Sequence, residues 1–270
     1  MEIRKLGKTE LLIPAGGMGT WRTFDVRSEM DIRNARVVVD AALESGANLF
    51  DSSPMYGQAE RVLSLALKGR RNSAIIATKI WAARREEGIA QMKRSLTFFN
   101  GRIELYQIHN LLSWEAHLDT LERLKAEGRI RAIGATHHGT RSFLELRRIM
   151  ESGRIDAIQI PYNVGQREVE KDILPLAADL DLGVVVMRPL GGGELVQRSP
   201  SPEKLAPLKP FGVETWAQAL LKWILSDMRC HAVIPATSAP RRMKENATAA
   251  NPPWFGKEER DYVFKLYQKL

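Results

Sequence analysis

The chain has 270 residues, 44% of them hydrophobic and 27% charged, a balance that excludes a disordered or fibrous protein and leaves room for one large domain. Its net charge of +8 favours anionic partners, yet the basic residues are spread over helical faces, as at Arg141, Arg147 and Arg148, with no nucleic-acid-binding module among them. A single cysteine, Cys230, excludes an internal disulfide and a cysteine-built zinc site, and reads as a small buried hydrophobe.

The opening MEIRKLGKTELLIP is charged throughout and lacks the apolar centre of a secretory signal, and no later window approaches about eighteen consecutive apolar residues. A cytoplasmic protein without membrane contact is therefore expected. Within that opening, IRKLGKTELLIP reads as a β-hairpin turning at Gly7 and Lys8, a lid for the floor of whatever follows. Candidate strands then recur at Ala15 to Gly19, Asn48 to Asp51, Ala74 to Lys79, Ile103 to His109, Ile130 to Thr136, Ala157 to Pro161, Gly183 to Arg188 and His231 to Pro235. Segments of helical period separate them. Trp114, Leu118 and Leu121 fall at i, i+4 and i+7 before a stop at Gly128, and Phe143, Leu146 and Met150 fall at i, i+3 and i+7. Runs such as AIIATKI and GVVVM are apolar without alternation, as expected of parallel strands covered on both faces.

Eight β-α units fit an α/β fold of the (β/α)8 TIM-barrel type with an N-terminal β-hairpin, residues 1–270 forming a single domain. A doubly wound open sheet would need a third glycine after Gly17 and Gly19, where Arg22 stands, and no Walker A pattern occurs. The stretch PLGGGELVQRSPSPEKLAPLKPFG, from Pro189 to Gly212, is longer than a usual strand-to-helix connection and reads as a functional covering loop.

In a barrel the chemistry gathers where strands end. The candidate strands end at Asp51, Lys79, His109, Thr136 with His137 and His138, Gln159 with Tyr162, Arg188, and Ala236 with Thr237 and Ser238, while Tyr56 follows Asp51 by five residues. Any one of these alone reads more simply as a cap or an ion pair. Together they describe a proton donor. A phenol titrates near pH 10 unaided, and an ammonium about 4 Å away at an effective dielectric of about 20 is worth roughly 4 kcal/mol, enough to move it by about three units. Lys79 supplies the ammonium, Asp51 keeps it charged, and His109 is placed to orient a substrate oxygen. With neither an activated nucleophile nor metal-ligand spacing, the set suits protonation of a carbonyl oxygen while another group delivers hydride. A glycosidase would need two opposed carboxylates, and the fourth and seventh exits carry His109 and Arg188 instead. A Schiff-base aldolase would need Lys79 unprotonated.

FDSSPMYGQAE, AIIATK, ELYQIHN, GRIRAIGATHH, IQIPYN and IPATSAPRRMKEN, in this order over about residues 3 to 250, resemble the aldo-keto reductase superfamily. The resemblance implies an NAD(P)H-dependent carbonyl reductase acting on a small-molecule carbonyl or alcohol, with Asp51, Tyr56, Lys79 and His109 as catalytic tetrad and no metal. It places Thr136, His137 and Gln159 on the nicotinamide carboxamide, with Thr20, Trp21, Met187, Arg188 and Leu190 beside the cofactor. Thr237, Ser238, Arg242, Glu245 and Asn246 match the segment that grips the adenosine end. Ala236 stands where many members carry a lysine for the 2′-phosphate, leaving Arg242 and Arg241 to favour NADP(H), with NAD(H) the alternative. Met187 replaces an aromatic platform, and His138 is a further candidate for pocket lining. The rival expectation is a cofactor-binding redox sensor with little turnover.

Overall fold

A computed structural model describes all of residues 1–270. Two antiparallel strands, β1 (Ile3–Lys5) and β2 (Leu12–Pro14), precede eight parallel ones: β3 (Met18–Gly19), β4 (Leu49–Asp51), β5 (Ile75–Ile80), β6 (Ile103–His109), β7 (Ile130–Thr136), β8 (Ala157–Pro161), β9 (Gly183–Met187) and β10 (Ala232–Val233). The eight lie in sequence order, and isolated parallel bridges from Gly16 to Val233 and from Gly19 to Ala236 close the last strand onto the first. This is a (β/α)8 barrel with an N-terminal hairpin, and every expected strand is present. The first and last are shorter than their apolar runs, because Pro235 has no N–H to donate and only single bridges form at that seam.

Around the sheet stand α1 (Glu29–Glu44), α2 (Ala59–Ala66), α3 (Arg85–Phe98), α4 (Trp114–Ala126), α5 (Phe143–Glu151), α6 (Ile173–Asp179), α7 (Pro202–Leu205), α8 (Trp216–Leu225), α9 (Pro240–Thr248) and α10 (Lys257–Tyr267). Their apolar stripes and the outward strand residues form the main core. No helix is long and apolar enough to cross a membrane. A final helix lies beyond residue 250. There, Gly256 donates its N–H to the Glu259 carboxylate at 2.8 Å, starting α10, which buries Val263 and Leu266.

The inward face of the barrel follows the two-residue strand period. Its lower layers are Leu49, Ala77, Leu105, Ala132, Ala157, Val185 and Ala232, and the hairpin pushes Leu6, Leu11 and Ile13 against them. The turn of the hairpin requires glycine at position 7, where φ is +53° and a Cβ would lie 2.4 Å from the Gly183 nitrogen. The floor is thus a sealed apolar plug, and one strand step higher the same face turns polar.

The Pro189–Gly212 segment is not an open flap. It winds into a Gly191–Val196 3-10 turn, helix α7 and a second 3-10 turn at Ala206–Phe211. Leu205 and Leu208 are buried, and the Tyr262 hydroxyl donates to the Lys204 carbonyl at 2.9 Å.

Candidate active site

Asp51 ends β4 and Lys79 stands near the end of β5, two strand steps above Ile75 on the inward face. Both are buried, and Lys79 Nζ lies 2.7 Å from each Asp51 carboxylate oxygen and 2.8 Å from the Ser52 carbonyl. Gln107 and Gln159 donate their amide N–H groups to the same carboxylate at 3.3 and 3.5 Å. Burial pushes the Asp51 carboxyl up, opposed by the Lys79 charge and these hydrogen bonds. For Lys79, burial acts downward, but Asp51 and Tyr56 outweigh it, so the amine titrates above its ordinary range. Each charge is the reason that the other survives in the barrel.

Ser53 begins the turn that presents the phenol. Its hydroxyl accepts the Met55 N–H at 3.2 Å, Pro54 sets the first position of the Pro54–Tyr56 3-10 turn, and Gly57 leaves it at φ +60°. A Cβ on Gly57 would strike the Asp25 carboxylate at 2.3 Å, so the exit of the turn is fixed as glycine. Tyr56 is half-buried, with its ring edge-on to His109 at 5.6 Å between centroids and Lys79 Nζ 5.3 Å from its centroid. Burial raises the phenol above its usual range; Lys79 lowers it, as the sequence reading expected, but does not prevail. The Tyr56 phenol is therefore protonated at neutral pH rather than already made acidic. His109 is pushed down to about 3, first by burial and then by Lys79, His138 and His137, so its imidazole is neutral. Its Nδ1 shares a 2.8 Å hydrogen bond with the Ser53 hydroxyl.

Thr20 ties the loop after β3 to this centre. Its N–H donates to the Asp51 carbonyl at 3.0 Å, and its hydroxyl donates to the same carbonyl at 2.9 Å. Trp21 follows at the mouth, half-buried. On the far side, Thr136 faces Gln159 in the register of β7 and β8. Thr136 Oγ1 and Gln159 Oε1 are buried without a hydrogen-bond partner, a cost of about 1–3 kcal/mol for each such group unless a ligand relieves it.

His137 is tied into the loop that follows β7. Its Nδ1 accepts the Gly139 N–H at 2.9 Å and its Nε2 shares a hydrogen bond with Ser142 Oγ at 2.9 Å, so both ring nitrogens are engaged within their own loop. His138, exposed, stacks on it at 5.1 Å with Nδ1 3.2 Å from Asn110 Oδ1. At the end of β9, Met187 and Leu190 are half-buried and Arg188 is exposed. Beyond β10, Thr237 is buried with its hydroxyl accepting the Ala239 N–H at 3.1 Å, and Ser238 is exposed with its carbonyl held by Asn34 at 2.9 Å. On α9, Arg241 and Arg242 are exposed and form no ion pair, Glu245 accepts a 2.7 Å hydrogen bond from Thr215, and Asn246 is buried. This segment adjoins the first loop through the bridge from Ala236 to Gly19, the residue before Thr20.

Ser53 and Gln107 belong to the centre and were not among the expected residues. The period of two on β6 carries the signal for Gln107, which falls between inward Leu105 and His109. Ser53 carries only the turn signal of a serine before proline.

The family model described as "Aldo/keto reductase family" matches residues 17–267. Among curated proteins, the methylglyoxal reductase YeaE of Escherichia coli is 27% identical, the alignment covering 88% of this chain and 86% of that protein. An NADH-specific methylglyoxal reductase of Escherichia coli is 25% identical over 91% of this chain and 92% of its own length. Among solved structures, an aldo/keto reductase from Klebsiella pneumoniae in complex with NADP and acetate superposes with a TM-score of 0.82, at 23% identity, over 98% of this chain and 95% of that one.

Proposed function

Since the chain belongs to the aldo/keto reductase family and is an NAD(P)H-dependent oxidoreductase, we propose that it reduces a small aldehyde or ketone with Tyr56 as the general acid, residues 1–270 working as a single barrel domain. The observation that carries this reading is the half-buried phenol set between the buried Lys79–Asp51 pair and a neutral His109.

The residues present fit a nicotinamide. Its carboxamide offers one donor and one acceptor, and the paired orphans Gln159 Oε1 and Thr136 Oγ1 offer the complementary acceptor and donor. Thr20, Trp21, Met187 and Leu190 would flank the ring, and Thr237, Ser238, Arg242 and Asn246 would hold the adenosine end. When bound, the reduced cofactor supplies the hydride that the substrate carbon receives. Tyr56 gives its hydroxyl proton to the carbonyl oxygen, so carbon gains hydride and oxygen gains a proton, completing the alcohol. A phenolate is left behind, and the Lys79 charge stabilises it at the moment it forms. Asp51 keeps that charge in place, which is why a pair buried in the barrel is worth its desolvation. The Ser53 hydroxyl, already accepting from Met55, has its own proton free for His109 Nδ1. His109 then carries its ring proton on Nε2, as a neutral donor to the substrate oxygen.

Arg241 and Arg242, exposed and unpaired, favour a 2′-phosphate and hence NADP(H); NAD(H) is the alternative that one relative's name carries. Methylglyoxal, named in two relatives, is the first substrate to test. Tyr56→Phe is expected to lower kcat by about 10³-fold while NADPH fluorescence titration gives an unchanged Kd. Reduction of methylglyoxal and other small aldehydes at the wild-type rate by this variant would refute the assignment of Tyr56.

A further inference from the structure

Two arginines stand at the barrel mouth without a carboxylate. The Arg22 guanidinium lies 4.2 Å from the centroid of the Trp21 ring and that of Arg188 lies 5.6 Å from the same centroid. Neither side chain takes part in an ion pair, and both are exposed. Both backbones are left-handed, with φ +63° at Arg22 and +50° at Arg188, a conformation that is costly for a side-chain-bearing residue and persists only where its surroundings enforce it.

Those surroundings are specific. Arg22 sits between buried Thr20, tied to Asp51 and Ser52, and buried Phe24, whose N–H donates to the Thr20 carbonyl at 3.1 Å. Arg188 is pinned through its carbonyl, which accepts from Asn163 Nδ2 and the Gly191 N–H, each at 3.0 Å. Two strained loops from opposite sides of the seam therefore bring two like charges to one indole. Like charges repel, and a shared partner of opposite sign removes that cost. The remaining charges of the centre do not provide one: Asp51 is committed to Lys79, and Asp25 on the same loop is turned to the Gln58 N–H at 2.9 Å. Arg188 also pulls the Tyr56 phenol downward, so its charge is felt at the reacting end of the site.

We propose that Arg22 and Arg188, the latter taken here for the substrate in place of the cofactor role expected from the sequence, form a clamp beside Trp21 for an anionic group, carboxylate or phosphate, carried by the carbonyl substrate itself. This rests on the reductase reading above and adds the substrate class: aldehydes or ketones bearing a negative charge some ångströms from the carbonyl. The planar guanidinium groups suit a two-oxygen anion.

Two matched pairs test it with the full-length enzyme and NADPH: 4-carboxybenzaldehyde against methyl 4-formylbenzoate, and glyceraldehyde 3-phosphate against glyceraldehyde. The charged member is expected to have at least a tenfold higher kcat/KM in one or both pairs, through KM rather than kcat, and the advantage is expected to shrink as salt rises from about 20 to 200 mM. Which pair responds distinguishes carboxylate from phosphate. Arg22→Gln should bring the ratio toward one, Arg22→Glu should invert it, and Arg22→Lys should restore part of it, with the NADPH Kd unchanged throughout. A wild-type ratio near or below one in both pairs overturns the clamp, as does a ratio insensitive to Arg22→Gln and Arg22→Glu. So does a variant that loses NADPH affinity in place of the ratio, since the arginine would then serve the dinucleotide. Failure of the wild type to oxidise NADPH with any of these compounds or methylglyoxal is a different result, one that removes the reductase reading and the clamp with it.

Discussion

The floor and the mouth of this barrel are built from the same strands and the same inward-facing register, yet they are chemically opposite. Below, Leu49, Ala77, Leu105, Ala157 and Val185 meet the hairpin residues Leu6, Leu11 and Ile13 in a dry plug. Above, two or four residues farther along the same strands, stand Asp51, Lys79, Gln107, His109 and Gln159. Strain divides the same way. Of the seven non-glycine residues with positive φ, Arg22, Asn110, Leu111, Ser113 and Arg188 follow the strand exits at the mouth, and only Asn100 and Asp181 lie on returns to the floor. A closed sheet lets one end carry stability so that the other can hold buried charge, orphaned polar atoms and left-handed loops.

Damage to each end should therefore have its own signature. The largest effect is expected from Asp51→Asn, which leaves the Lys79 ammonium buried without its counter-ion: about 3–5 kcal/mol in chemical denaturation, with kcat falling at least 10²-fold. The double variant Asp51→Asn with Lys79→Met should recover much of the stability and none of the activity, and full additivity of the two stability losses would show that the pair is not coupled. Leu11→Ala, at the floor, should cost about 3 kcal/mol while leaving kcat and KM for methylglyoxal near their original values at a temperature where the protein is folded. A matching loss of kcat would erase the distinction between the two ends.

Acid titration offers a finer probe of the mouth. The His109 imidazole titrates at about 3 in the folded protein against about 6.5 in an unfolded chain, so between those values the unfolded state binds the extra proton. Its contribution is complete above pH 6.5 and is lost as pH falls toward 3, on the order of 2–3 kcal/mol by pH 4.5. Urea unfolding at pH 7 and 4.5 should show a smaller acid loss in His109→Gln than in the wild type; equal losses would mean that the ring is not buried neutral. The smallest effect is at the edge of the mouth, where Arg242→Ala should weaken NADPH by about 1 kcal/mol, roughly fivefold, and leave NADH unaffected. Equal weakening of both cofactors would remove Arg242 from the 2′-phosphate.

The plan of the barrel was legible because a parallel strand covered on both faces must be apolar throughout, as IIATKI is, and because such runs alternate with helical periods. The polar strand ends were legible for the complementary reason: Lys79 and Gln159 interrupt apolar runs where a parallel strand covered on both faces would otherwise stay apolar. What escaped was directional. That Leu205 and Leu208 fold the Pro189–Gly212 segment down, that His137 turns both nitrogens toward Gly139 and Ser142, and that Ser53 meets His109 depend on side-chain orientation in loops, which no period encodes. The balance of effects on Tyr56 escaped as well, since a pairwise estimate with Lys79 omits the burial that outweighs it.

The seam between the first and last barrel strands has only two isolated bridges, from Gly16 to Val233 and from Gly19 to Ala236, where other neighbours share continuous ladders. Its two pairs are not consecutive, like stitches with a gap between them, and amide hydrogen exchange should begin there, ahead of β6 and β7. A dinucleotide reaching from Thr20 to Thr237, as proposed above, would lie across that join like a clasp, so that loading the protein would fasten the cylinder there.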